Sequence, residues 1–231
     1  MRILAVDTSS AVASCAITDG EKLVCEEILN NKLTHSQTLM PMIESVLKKS
    51  EMTVSDIDLF VAVTGPGSFT GLRIGVSAVK ALAHAANKEC VGVSTLEAMA
   101  YNLPFSNALV CPIMDARRGE VYNAVYRFES ERPTEIRPMR ALSIDELLAD
   151  IKSLDEQTVF LGDGLPVFKD KISTVLGGLA LFAPANLNAQ MAASAAVAAM
   201  TKETVKYNKL SPVYLRKSQA EREREEREKM K

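Results

Sequence analysis

The chain has 231 residues, 47% apolar and 24% charged, the balance of an ordinary globule, which excludes a disordered or fibrous chain. Lys and Arg number 27 against 29 Asp and Glu, a formal charge of −2, so no global positive field draws the chain onto nucleic acid. Trp is absent and aromatic residues make up only 5%, too little for base-stacking platforms, so any work on nucleic acid is expected to go through a partner.

Taken in chain order, Ile3 to Val6 is a short apolar run closed by Asp7-Thr8-Ser9-Ser10. Val12 to Thr18 and Lys22 to Leu29 follow, and Asp19-Gly20 between them predicts a hairpin. Helical spacing takes over from about Ser36, with Leu39, Ile43, Val46 and Leu47 on one stripe and Thr34 or Ser36 as the cap. Leu59 to Val63 reads as a buried strand, Leu72 to about Ala86 as a long helix, Cys90 to Val93 as a strand and Thr95 to about Tyr101 as a short helix. This alternation predicts an α/β layer with an at least partly parallel sheet.

After a loop with Pro104, Ser106 and Asn107, a second half opens with strands at Ala108–Met114 and Val121–Phe128. A helix at Leu142–Ile151, a strand at Val159–Leu161 and an alanine-rich helix from about Leu187 to Lys202 complete it. Each half starts with a strand ending in an acid, Asp7 or Asp115, a weak sign of a duplicated fold. The tail Glu221–Lys231 has balanced charge and can form Glu223–Arg227 and Glu225–Lys229 pairs as a solvated helix end. Cys15, Cys25, Cys90 and Cys111 form no C-x-x-C pair, sit in or beside apolar runs and are expected as buried reduced thiols. The N-terminus turns acidic too early for a signal peptide, and no apolar run reaches about 18 residues, so a cytoplasmic location is expected and no membrane contact.

The sharpest local signal is Thr64-Gly65-Pro66-Gly67-Ser68-Phe69-Thr70-Gly71 between strand and helix. Glycines permit close backbone approach, and the free N–H groups of the helix start suit a phosphate. The same residues equally suit a tight connection with Ser68 or Thr70 as N-cap. Neither a Walker A lysine nor G-x-G-x-x-G is present. Asp7 at a strand end can hold Mg²⁺ through water or close an Asx turn. The two histidines, His35 and His84, are too far apart for a ligand pair, and G-x-S-x-G is missing.

Four segments together resemble the TsaB (YeaZ) family: Ile3-Leu4-Ala5-Val6-Asp7-Thr8-Ser9, the helix from His35 to Ile43, Gly65-Pro66-Gly67-Ser68-Phe69-Thr70-Gly71-Leu72-Arg73-Ile74-Gly75, and Asp115 to Tyr122. Ser211-Pro212-Val213-Tyr214-Leu215-Arg216 adds a fifth. The resemblance implies a two-lobed actin, Hsp70 and sugar-kinase-like (ASKHA) fold, each lobe a mixed sheet flanked by helices. The implied lobes are residues 1–106 and 107–210, followed by a C-terminal segment and charged tail, 211–231. It implies a non-catalytic subunit of the bacterial machinery that forms N6-threonylcarbamoyladenosine at position 37 of tRNA. The implied partners are the catalytic paralogue TsaD and, through that pair, the ATPase TsaE, with tRNA met only indirectly.

Against the TsaD pattern, Thr95 and Met99 stand where two metal-binding histidines would be, and both are poor ligands for a divalent cation. Asp115-Ala116-Arg117-Arg118-Gly119 replaces a glycine-rich second phosphate turn. The resemblance therefore leaves a vestigial phosphate loop, Asp7, Thr8, Gly65, Pro66, Gly67 and Ser68, with no metal and no cofactor expected. It also places a four-helix partner interface on His35, Leu39, Met42, Ile43, Val46, Leu72, Gly75, Val76 and Val79, a face that homodimers can reuse. An ATP-binding phosphotransferase of the same superfamily is the first alternative and a metallopeptidase the second.

Overall fold

The computed structural model describes residues 1–31 and 33–216. The charged tail and its two expected ion pairs lie outside the described residues. The first sheet comprises β1 (Arg2–Asp7), β2 (Ala13–Asp19), β3 (Lys22–Leu29), β4 (Leu59–Gly65) and β5 (Glu89–Ser94), in the order β3-β2-β1-β4-β5. The second comprises β6 (Leu109–Arg117), β7 (Glu120–Phe128), β8 (Pro133–Ser143), β9 (Thr158–Leu161) and β10 (Ala180–Phe182), in the order β10-β9-β6-β7-β8.

The two orders are the same pattern written twice. In each sheet the first strand pairs antiparallel with the second and parallel with the fourth. The hairpins provide the antiparallel half, and the helical crossovers the parallel half. Asp7 and Asp115 thus sit on equivalent central strands, as their placement in the sequence hinted.

Among the described residues, six α-helices fill three layers around the sheets: α1 (His35–Lys49), α2 (Phe69–Ala86), α3 (Thr95–Ala100), α4 (Ile144–Leu154), α5 (Leu165–Leu176) and α6 (Ala192–Ala199). Alternation along β1 sends Leu4 and Val6 to α1 and α2, and Ile3 and Ala5 to α3 and α6. On the second sheet, Leu109, Cys111 and Ile113 meet α4 and α5, while Val110 and Met114 meet Leu96 and Met99 of α3. Central strands buried on both faces explain why Leu59–Val63 reads as a continuous apolar run. Cys15, Cys90 and Cys111 are buried, Cys25 is half-buried, and all are free.

Several boundaries move for physical reasons. Helix α2 starts at Phe69 rather than Leu72, because Ser68 caps it by accepting the Gly71 N–H at 3.2 Å. Helix α4 starts at Ile144 because Ser143 and Glu146 close a capping box. Strand β8 eluded the sequence reading because Pro133 and Pro138 break its pattern, which an edge strand tolerates. Helix α5, with Pro166 in its first turn, and the three-residue strand β10 were also missed.

The alanine-rich helix is shorter than expected and packs on the first sheet, although it follows the second in sequence. Its Ala192, Ala195, Ala196 and Ala199 let it approach Ala5 and Ala16 closely. Leu210 joins the core between the first sheet and α1 and α2, so the last part of 107–210 packs with the first lobe. No described helix is long and apolar enough to cross a membrane.

Candidate functional site

A cleft of about 620 Å³ opens between the two lobes. The first lobe lines it with Ser9, Ser10, His35 and the loop from Pro66 to Phe69; the second lines it with Met114, Asp115, Arg117, Tyr122 and Asp163. Val213 to Arg216 also line it.

Asp7 lies beneath this surface, fully buried at the end of β1. Its Oδ1 accepts the Ser9 N–H at 2.7 Å, an Asx turn, while Oδ2 and the Ser9 hydroxyl have no hydrogen-bond partner among the described residues. Burial pushes the Asp7 carboxyl up to about 6, against the opposing pull of Ser9 and His35. His35 starts α1 and bonds through Nε2 to the Ser10 carbonyl at 2.7 Å, which makes that nitrogen the donor. It tethers the turn to the helix.

The glycines of the first-lobe loop are seated against the chain's own backbone. A methyl group on Gly65 would lie 2.5 Å from the Val213 carbonyl, and one on Gly67 2.2 Å from the Ser9 carbonyl. On Gly71 and Gly75 it would lie 2.1 Å from the Thr8 carbonyl and 2.3 Å from the Thr8 hydroxyl. Thr8 Oγ1 donates to the Gly71 carbonyl at 2.8 Å, and the Ser68 N–H reaches the Ser9 carbonyl at 2.7 Å. Thr95 donates to the Pro66 carbonyl at 2.7 Å, and Met99 is buried in the layer between the sheets. The loop and the Asp7 turn therefore form one packed unit.

Across the cleft, Asp115 accepts the Arg117 N–H at 2.8 Å and pairs with its guanidinium at 3.1 Å. Asp163, just after β9, accepts the Asp115 N–H at 3.3 Å. Burial raises its carboxyl to about 6, and the Asp115 charge adds to the rise. Asp163 escaped the sequence reading; its one signal is an acid between two glycines, Gly162 and Gly164, at a strand end. Among the described residues, no group of three or more His, Cys, Asp or Glu side chains is placed to hold a metal ion.

The expected interface residues fall elsewhere than on an open face. Leu39, Met42, Ile43, Val46, Leu72, Gly75, Val76 and Val79 are buried in the chain's own core, and His35 is half-buried at the cleft. These residues, which the resemblance assigns to a partner, lie on the apolar stripes by which α1 and α2 cover the first sheet. A charge placed at Leu39 or Val76 would damage that core rather than an interface. The outward face of the same helix pair carries Met40, 51% exposed, with Pro41, Glu44, Lys48, Met52 and Leu82 around a groove of about 520 Å³. Ala81 and Ala85 are exposed on α2.

A family model for tRNA N6-adenosine threonylcarbamoyltransferase (TsaD) matches residues 22–224. The tRNA threonylcarbamoyladenosine biosynthesis protein TsaB of Bacillus subtilis (strain 168) is 33% identical over 221 residues, 96% of each chain. YeaZ from Pseudomonas aeruginosa superposes with a TM-score of 0.75 at 24% identity, over 93% of this chain and 99% of its own. Component A of (R)-2-hydroxyglutaryl-CoA dehydratase from Acidaminococcus fermentans superposes at 0.51 and 13% identity, over 86% of this chain and 97% of its own. These structural likenesses concern the fold alone, two lobes built on one repeated sheet topology.

Proposed function

Since the chain belongs to the TsaB family, we propose that it serves as a non-catalytic supporting subunit in forming N6-threonylcarbamoyladenosine at position 37 of tRNA, in the cytoplasm. Its work is to bind TsaD, and through that pair TsaE, with tRNA held by its partners. The observation that carries the non-catalytic reading is the seating of the loop glycines on Thr8, Ser9 and Val213. Glycines that would admit a phosphate are occupied by the chain's own backbone, and in the facing turn Asp115 takes the Arg117 N–H and adds a carboxylate that would repel a phosphate.

The outward face of α1 and α2 is the place for TsaD. Met40 adapts to an irregular partner, and the small side chains of Ala81 and Ala85 allow another helix to approach closely. The test is reconstitution with purified TsaD and TsaE, read as modified nucleoside. The chain alone is expected to give none, and the mixture to give product. Met40→Asp should weaken co-elution with TsaD at least tenfold, by about 1.4 kcal/mol or more, with an unchanged unfolding midpoint. Undiminished co-elution overturns this face, and turnover by the chain alone overturns the non-catalytic role.

One observation favours the phosphotransferase reading, the buried Asp7 Oδ2 under the cleft floor, which has no hydrogen-bond partner among the described residues. Calorimetry with MgATP separates the two, since heat of micromolar binding with turnover belongs to the enzyme only.

A further inference from the structure

After α6 the chain does not leave the molecule but runs back along the first lobe and across the mouth of the cleft. Val205 pairs with Cys90, N–H to carbonyl in both directions at 2.8 Å, which adds a bridge to the edge strand β5. Tyr207 stacks on His84 with ring centroids 4.3 Å apart, and Lys80 donates to the Leu210 carbonyl at 3.0 Å. Leu210 itself is buried among first-lobe side chains. Further on, the Val213 N–H reaches the Thr64 carbonyl at 2.8 Å, while the Tyr214 ring stacks on Phe69 at 4.1 Å. Arg73 bonds the Tyr214 hydroxyl at 3.0 Å and lies over the Phe69 ring. Every one of these anchors belongs to the first lobe.

Arg216 then changes lobes. Its Nη1 donates to the Ala116 carbonyl at 2.8 Å and pairs with Glu120 at 2.6 Å, and both acceptors lie on the β6–β7 hairpin of the second lobe. Its side chain is 19% exposed, so the pair is partly shielded from water and stronger than a free surface pair.

We propose that residues 205–216 are a strap that locks the opening between the lobes, with Arg216 as its latch. A two-lobed cleft ordinarily changes its opening about a hinge between lobes. Here the chain bridges the cleft at its mouth, opposite the α3 layer that joins the sheets from within. A short segment fixed at both ends holds those ends at one separation. The lobes then move as one body, and releasing either end frees the hinge. The inference rests on these contacts alone and does not depend on the family.

The full-length chain tests it with spin labels at exposed Ser77→Cys on α2 and Lys152→Cys on α4, in a Cys25→Ser background that removes the half-buried thiol. Pulsed dipolar spectroscopy reads the distance between lobes. The unaltered strap should give one narrow distribution. Arg216→Ala, which cuts the second-lobe end, and Tyr214→Ala, which loosens the first-lobe end, should both broaden it toward longer distances. Glu120→Ala should reproduce the Arg216 result, and it decides the matter if Arg216→Ala does not fold. A distribution as narrow as the parent's in folded Arg216→Ala or Glu120→Ala overturns the strap, because the α3 and α6 layer then suffices to fix the lobes.

Discussion

The two sheets share a topology, yet the turns at the ends of their central strands have gone different ways. After β1, Asp7 is sealed under Ser9, and the neighbouring loop packs its glycines onto Thr8 and Ser9. After β6, Asp115 pairs with Arg117, and a methyl group on Gly119 would meet nothing within 4 Å among the described residues. One strand order thus carries two turns of different packing density. Close packing leaves the first turn no room for an added atom, while the tip of the second is uncrowded even though Arg216 holds the hairpin's flanks.

Breaking the packed side should give the largest effect. Gly71→Ala places a methyl group 2.1 Å from the Thr8 carbonyl, which neither β1 nor α2 can relieve without moving. Helix propensity alone would favour Ala by about 1 kcal/mol, so a loss of about 4 kcal/mol isolates the contact. Gly119→Ala in the second turn meets no described atom within 4 Å, and its φ of 78° gives a strain of about 1 kcal/mol. Urea unfolding of the two variants side by side measures the contrast. Equal losses would mean that the first turn is no tighter than the second.

The next effect is smaller and tied to pH. Asp7 is raised from 3.8 to about 6 in the folded chain. Between about pH 4 and 6 the unfolded carboxylate is ionised while the buried one keeps its proton. The folded state therefore binds more protons, and stability falls as pH rises through that window. By linkage the fall due to Asp7 is about 2 to 3 kcal/mol. Asp163, also raised to about 6, adds a fall of the same sign. Asp7→Asn should flatten part of the curve of unfolding free energy against pH, and Asp163→Asn another part. If Asp163→Asn leaves the curve unchanged, the second lobe holds no counterpart to the buried acid of the first.

How far these turns were legible follows from what each depends on. The Asp19-Gly20 hairpin, the helix stripes and the loop at Gly65 could be read because local pattern fixes them, whereas the order of strands in each sheet could not. The purpose of the glycines could not, since their contacts are with Thr8, Ser9 and Val213, distant in sequence and brought near only by the finished fold. The same limit misled the reading of Leu39 and Val76. Periodicity shows that a helix has an apolar face, but not whether that face meets its own sheet or a partner. Asp163 was invisible because its burial and its Asp115 contact come from strands that the sequence separates.

The smallest effect concerns the tip of the second turn, and it should be a gain. Arg117 pairs with Glu120 across the hairpin, leaving Arg118 and Gly119 as a two-residue loop with φ of 57° and 78°. Positive φ at both positions is the turn that matches strand twist, and it favours Asn-Gly over Arg-Gly. An Arg in that conformation carries roughly 1 kcal/mol of local strain. Arg118→Asn should therefore raise the unfolding free energy by about 0.5 kcal/mol, measured by urea titration at pH 7. Stabilisation would establish that the second turn can change cheaply, as an open hairpin should. A loss would show that the Arg118 side chain is held by a contact worth more than the strain, and the two turns would then be equally committed.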